Sequence, residues 1–220
     1  MNELYFLSQI LIILLFSFGA LRLGKEALIT SMSLLAILAN FFVLKQISFF
    51  GFEVTCSDAY TVGSVLSLNL LREYYGKDSA KKAISICFFF MAFFVIMSHL
   101  HLRFIPSIHD TTQFAYSRLL TPAPRILIAS LLTFYLVQQF DLRAFGLISR
   151  ILPKSPFPIR STISLTLSQF IDTILFSFMG LYGMVNSISH IIFVSFLIKV
   201  CVIITLGPLT TLFYRLKPRV

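Results

Sequence analysis

The chain has 220 residues, of which 57% are hydrophobic and 12% are charged, and its formal net charge is +9. A soluble domain carries about 25% charged residues, so this composition excludes a soluble globular protein. Seven apolar stretches, each near the ~20 residues that a membrane-spanning helix needs, leave no room for a soluble catalytic domain. They cover residues 4–23, 27–44, 54–71, 83–100, 125–141, 161–181 and 189–213.

The basic residues are unevenly distributed between the connections of these stretches. Thirteen of them lie between spans one and two, three and four, five and six, or in the C-terminal tail, and four lie on the opposite side. The positive-inside rule then predicts an N-terminus outside and a C-terminus in the cytoplasm. The positive charge therefore reflects membrane topology, and we predict no direct binding of nucleic acid.

The first apolar stretch, residues 4–23, has no basic region before it and no small-residue cleavage site after it. A removed signal peptide would carry both of these features. We therefore predict an uncleaved first helix that faces lipid. The cysteines at 56, 87 and 201 are far apart and lack the spacing of metal ligands. We expect them to be packing residues, and we predict no cofactor and no metal site.

Span three carries polar residues near its cytoplasmic end. Asn69 and Glu73 are four residues apart, so they share one helical face, and Gly76 is typical of a helix C-terminal cap. For Glu73, a surface ion pair with Arg72 or Lys77 is as good an interpretation as a functional role. Between the spans, residues 49–53 carry a turn signal.

Two neighbouring apolar helices carry the same polar pattern, Ser-x7-Gln-x2-Asp, with an arginine at or just before the start. At about 100° per residue, the three polar positions of each pattern lie on one face. Polar side chains are costly against lipid, so we expect both faces to point inward as opposite walls of one polar site. The residues are Arg125, Ser130, Gln138 and Asp141 on the first helix, and Arg160, Ser161, Gln169 and Asp172 on the second.

Lys199 lies near the middle of the last apolar stretch. Placing an ammonium there costs at least about 2.5–3.5 kcal/mol on insertion scales. It therefore needs a carboxylate or polar partner, and Asp172 and Asp141 are the candidates. A purely structural buried ion pair stays open as an alternative, although we favour a site linked to a ligand.

These elements, in this order, resemble the queuosine precursor transporter family, also called vitamin uptake transporters, over roughly residues 30–215. The resemblance rests on the segment from Asn69 to Gly76 with the basic residues after it, on both polar helices, and on Lys199 followed by Pro208. The family usually has Asp where this chain has Asn69, so a contact or proton site there is expected to be neutral here.

The resemblance implies an all-α polytopic membrane protein with a six-helix core similar to the substrate-binding subunits of energy-coupling-factor vitamin importers. Residues 26–220 would form this transporter domain, and residues 1–25 an accessory transmembrane helix, giving seven spans. It also implies a location in the bacterial cytoplasmic (inner) membrane and uptake of a 7-deazaguanine, queuine or a pre-Q base, for tRNA modification. The expected partners are this small molecule and the lipid bilayer, with a homo-oligomer or an energising subunit left open.

The polar residues suit such a ligand. A guanine-like edge offers N1–H and N2–H₂ donors to a carboxylate, and an O6 acceptor to Gln, Arg or Lys; a mismatched base would leave buried groups unpaired. We expect Asp172 or Asp141 to bind the donor edge and an aromatic side chain to stack on the ring. The full set of predicted substrate-binding residues is Asn69, Glu73, Arg125, Ser130, Gln138, Asp141, Arg160, Gln169, Asp172 and Lys199.

Three alternatives remain from the residues. An intramembrane enzyme is disfavoured, since the sequence has neither a His-Glu-x-x-His motif nor a Gly-x-Ser-x-Gly elbow. A scaffold without transport activity predicts that the polar residues are replaceable. A vitamin-binding subunit would need a separate ATPase, since the sequence has no nucleotide-binding loop.

Overall fold

The computed structural model describes the backbone of residues 1–155 and 157–213, and their side chains except at 138, 142, 157, 158, 161, 202 and 205–213. Within these residues the chain is mostly helical. The elements are α1 (Asn2–Leu23), α2 (Lys25–Phe42), β1 (Gln46–Phe49), β2 (Phe52–Thr55), α3 (Asp58–Leu102), α4 (Gln113–Leu120), α5 (Ala123–Ile151), α6 (Phe157–Phe176), a π-helical turn (Ser177–Leu181) and α7 (Ile188–Phe213).

The helices are long and apolar enough for a polytopic membrane protein, which confirms that part of the predicted fold class. In the described part of the chain, five helical segments could cross a bilayer: α1, α2, α3, Gln113–Ile151 and Thr162–Leu181. A shorter apolar segment, Ile188–Cys201, belongs to α7. The count of seven spans stays a prediction, as does the resemblance of the core to energy-coupling-factor subunits.

Helix α3 contains two of the predicted spans, separated by a break at Gly76. The backbone there has φ 84° and ψ 168°, which is not helical. A positive φ strains a residue with a Cβ, but glycine adopts it readily. The prediction that Gly76 ends a helix is therefore confirmed, and the helical path is interrupted between spans three and four.

A short antiparallel hairpin, β1–β2, interrupts the otherwise helical chain, so the all-α prediction is wrong at this point. Gln46 pairs with Thr55, and Phe49 with Phe52. The turn between the strands is at Phe50 and Gly51, where φ is 47° and 83°, as a two-residue turn of type I′ requires. The predicted turn is thus present. The predicted start of span three at residue 54 is wrong, because α3 begins at Asp58.

The chain divides into two compact units, of which the first is Met1–Leu127. Here α1 and α2 pack against α3, and the fully buried leucines of this core include Leu28, Leu66 and Leu70. Gly63 lies where α1 comes close to α3, since a Cβ at this position would overlap the Ile13 side chain. Its hydrogen, in place of a side chain, allows the two helices to approach.

The second unit, Ile128–Val220, holds most of α5, together with α6, the π-helical turn and α7. Helix α6 packs against α7. The buried side chains of α6 are small and carry hydroxyls, at Ser164, Ser168 and Thr173, and small residues allow close helix packing within membranes. The division into residues 1–25 and 26–220 concerns which helices form the transporter core, and it stays a prediction.

Candidate functional site

An ion pair joins α6 and α7 in the second unit. Lys199 Nζ donates to Asp172 Oδ2 at 2.6 Å and to Thr173 Oγ1 at 3.1 Å. Thr173 Oγ1 in turn donates to the Gln169 carbonyl oxygen at 2.8 Å. Of the two carboxylates that the sequence offered as partners for Lys199, the structure therefore selects Asp172.

The burial of this pair makes the pairing obligatory. Lys199 is 9% exposed, and removing one partner of a buried pair leaves an uncompensated charge at a cost of about 3–5 kcal/mol. Asp172 is less enclosed, with 26% of its side chain exposed. The ammonium is thus buried, while the carboxylate that pairs with it still has exposed surface to offer a ligand.

Asp141 of α5 has different partners. Ser164 Oγ and Ser168 Oγ of α6 both donate to Asp141 Oδ1, at 2.7 and 2.8 Å. Ser164 Oγ also lies 3.4 Å from the Asp141 carbonyl oxygen. Hydrogen bonds to an ionised carboxylate are stronger than those between neutral groups, so this contact ties α5 to α6.

Both polar centres are therefore built on one helix. Ser164, Ser168 and Asp172 follow one another at intervals of four residues, which places them on one face of α6 about 6 Å apart along its axis. The Ser-x7-Gln-x2-Asp pattern aligns Asp172 with Ser161 and Gln169 and does not include these two serines. Their Ser-x3-Ser-x3-Asp spacing could have revealed them. That Asp141 and Asp172 face each other across one pocket stays a prediction.

The remaining predicted residues of the second unit lie on α5 and α6. The side chains of Gln138 and Ser161 lie outside the described residues, and Gln169 contributes its backbone carbonyl to Thr173. Ser130 is half-buried and has an interaction partner. Arg160 is half-buried, with a buried Nε that has no hydrogen-bond partner among the described residues. The roles predicted for these residues stay predictions.

Three predicted residues lie in the first unit. Asn69 and Glu73 are exposed on α3, one turn apart as their spacing predicts. Arg125, in the first turns of α5, is also exposed and has an interaction partner. Their part in a substrate site stays a prediction. Among the described residues, no cluster of three or more His, Cys, Asp or Glu side chains could hold a metal ion.

Comparison with known proteins decides the family. A family model described as "putative vitamin uptake transporter" matches residues 59–213. The chain belongs to the vitamin uptake transporter family. The "Probable queuosine precursor transporter" of Bacillus subtilis (strain 168) is 29% identical to this transporter over 196 residues, which cover 87% of this chain and 84% of the relative. No solved structure matches the chain.

Membership of the family confirms the sequence-based predictions of class and location. The protein is a transporter and not an enzyme, and it is a multi-pass protein of the bacterial inner membrane. The matched region contains both polar centres of the second unit, whereas α1, α2 and the hairpin precede it.

Proposed function

We propose that this transporter imports a queuosine precursor, a 7-deazaguanine base, and that Asp172 binds the base. The observation that carries the proposal is the Asp172–Lys199 pair, in which a carboxylate between two apolar helices lies 2.6 Å from a buried ammonium. The printed name of the Bacillus subtilis relative supports the choice of substrate.

The chemistry of the pair fits a guanine-like edge. The N1–H and N2–H₂ groups of such a base donate to the two oxygens of one carboxylate, each of which can accept more than one hydrogen bond. Asp172 can therefore accept from the base while it keeps its bond to Lys199. An adenine-like base presents an acceptor where guanine has N1–H, which would leave buried groups unpaired.

An aromatic pair lies beside the ion pair along the chain. Phe170 of α6 and Phe196 of α7 meet with their ring centroids 4.9 Å apart and their planes at 64°. They precede Asp172 by two residues and Lys199 by three. Phe170 is 41% exposed, and Phe196 is three residues from Lys199 and so shares its helical face. An aromatic side chain is therefore near the ion pair, and such side chains commonly stack on planar heterocycles in ligand sites.

The test is uptake in bacterial cells that lack their own synthesis of the precursor, scored by the queuosine content of their tRNA. Wild-type protein is expected to restore queuosine from added base, and Asp172→Asn to lose most of this rescue. Asp78→Asn is a matched control, since Asp78 is an exposed carboxylate on α3, and it should behave as wild type. Full rescue by Asp172→Asn at equal membrane abundance would contradict the proposal.

A further inference from the structure

The two aspartates of the second unit are held by groups of different charge. Asp172 is paired with an ammonium, whereas Asp141 accepts hydrogen bonds from two neutral hydroxyls. Protonating Asp172 would leave Lys199 as an unpaired buried charge, which is costly. Protonating Asp141 removes a charge and leaves none behind. Of the two carboxylates, Asp141 is therefore the one that can exchange a proton without disrupting an ion pair.

We propose that Asp141 is a proton-binding site through which the transporter couples base uptake to a proton gradient. The inference rests on the proposed function, because it assumes that a base is carried. In each cycle the Asp141 carboxylate takes up one proton from the outer side, forming one O–H bond, and releases it to the cytoplasm as that bond breaks. The base crosses in the same cycle through its contact with Asp172.

The geometry around Asp141 suits a proton better than a metal ion. The carboxylate oxygen and the two serine oxygens are 2.7 and 2.8 Å apart, which is hydrogen-bonding distance. A sodium ion among these oxygens would have to push them apart, whereas a proton needs no additional space. Each hydroxyl can donate or accept, so Ser164 and Ser168 can reorient when the carboxylate becomes an acid.

Protonation also provides a reason for movement. An ionised carboxylate is costly to expose within a membrane, so a charged Asp141 should stay with its two serines. A neutral Asp141 is released more readily, which would allow α5 and α6 to shift against each other. Transporters commonly place such coupling sites within the membrane, where helices rearrange around them.

Among the described residues, no charged group on the neighbouring helices pairs with Asp141, whose side-chain partners are the two serines. On its own helix, Arg143 is exposed. On α6, Arg160 and Asp172 lie one turn before Ser164 and one turn after Ser168; on α7, Lys199 is bound to Asp172. None of these groups forms an ion pair with Asp141. The other charged or titratable side chains described in these helices are Arg125, Tyr135, Arg150, His190 and Cys201, and Tyr182 follows the π-helical turn. Within the part of the chain that the structure describes, none of them forms an ion pair with Asp141.

The experiment uses the full-length protein in proteoliposomes with radiolabelled queuine. Two activities are measured: exchange of labelled for unlabelled queuine without any gradient, and accumulation driven by a proton gradient that is acidic outside. Wild-type protein is expected to perform both, and a protonophore should abolish accumulation alone. Asp141→Asn keeps a side-chain oxygen to which the two serines can donate hydrogen bonds, but its amide cannot take up and release a proton as a carboxylate does. Because the proposed function places the base on Asp172, and not on Asp141 as the sequence alone also allowed, this variant should still exchange, while its accumulation ratio falls to about one.

A second variant, Asp141→Glu, guards against misfolding of the first, since it keeps an ionisable group. It should retain accumulation with an altered dependence on external pH. The proposal is overturned if Asp141→Asn accumulates queuine as wild type does, if it loses exchange together with accumulation while folded, or if a sodium gradient drives wild type instead. Wild-type exchange without proton-driven accumulation overturns this inference alone. A wild type that neither binds nor exchanges queuine overturns the proposed function as well.

Discussion

The two compact units hold their helices together by different means. In the first, α2 and α3 meet through buried leucines and through weak polar contacts, such as Ser31 Oγ to Ser67 Oγ at 3.4 Å and Ser64 Oγ to the Met32 carbonyl at 3.1 Å. In the second, an ion pair and hydrogen bonds to a carboxylate join the helices. Charged groups are costly in a membrane and are retained mainly for function. The contacts that join the helices of the second unit therefore support the proposal that ligand chemistry lies there, although α3 of the first unit also buries one carboxylate, that of Asp58.

The largest loss of stability is expected when the ion pair of the second unit is broken. Lys199→Met alone should destabilise the protein by about 3–5 kcal/mol, because Asp172 is left without its cation. The double variant Asp172→Leu with Lys199→Met should recover much of that stability but no uptake. Thermal unfolding of purified protein, together with cellular rescue of queuosine, measures both effects. A double variant as unstable as the single one would show that the pair does not act as a unit.

The hydrogen bonds to Asp141 should matter next. Ser164→Ala and Ser168→Ala each remove one donor to an ionised carboxylate, which is worth about 1.5–3 kcal/mol. Thermal unfolding should show both losses, and the double variant should differ from their sum because the two serines share one oxygen atom. Ser85→Ala is the control, since Ser85 is exposed and its Oγ donates within its own helix, to the Lys81 carbonyl oxygen. Losses no larger than that of Ser85→Ala would contradict the assignment.

A purely steric change should disturb the first unit. Gly63→Ala places a methyl group against Ile13, and such overpacking costs about 1–3 kcal/mol. Gly19→Ala on α1 is the matched control, since no atom lies within 4 Å of the added Cβ. Thermal unfolding should separate the two variants, and Ile13→Ala should rescue the first. If Gly63→Ala proves as stable as Gly19→Ala, α1 and α3 do not meet as closely as described.

The smallest effect on uptake is expected at the break in α3. Gly76→Ala introduces a Cβ at φ 84° and ψ 168°, with no neighbouring atom in the way, so the cost is that of backbone conformation alone, about 1–3 kcal/mol in this region. Base uptake per folded molecule should be unchanged, because the strain lies outside the second unit. Thermal unfolding combined with cellular rescue measures this. Loss of uptake without loss of stability would give the first unit a role beyond packing.

The sequence predicts much of the fold because the bilayer restricts what apolar segments can do. Long apolar runs must form helices there, and glycine is the residue that tolerates the backbone of Gly76. The ion pair was also within reach, since an ammonium as isolated as that of Lys199 requires a carboxylate. For the same physical reason, the family's motifs could be placed on helices before the structure was known.

Other features depended on tertiary contacts that no local pattern fixes. The hairpin strands are four residues each, too short to stand out from an apolar span, so only their turn was predicted. On α6, the polar pattern shared with α5 pointed to Gln169. The residues that contact α5 are instead Ser164 and Ser168, which donate to Asp141. Helical periodicity identifies a broad face, and the hydrogen bonds from α6 to Asp141 show which residues on it make the contacts.

Equilibrium binding of radiolabelled queuine to the purified protein tests the central claim most directly. Wild type and Asp78→Asn should bind alike, and excess guanine should compete where adenine does not. Asp172→Asn should bind about 10- to 100-fold more weakly, the loss expected for a hydrogen bond to a charged group. Unchanged affinity in Asp172→Asn, or equal competition by adenine, would contradict the account.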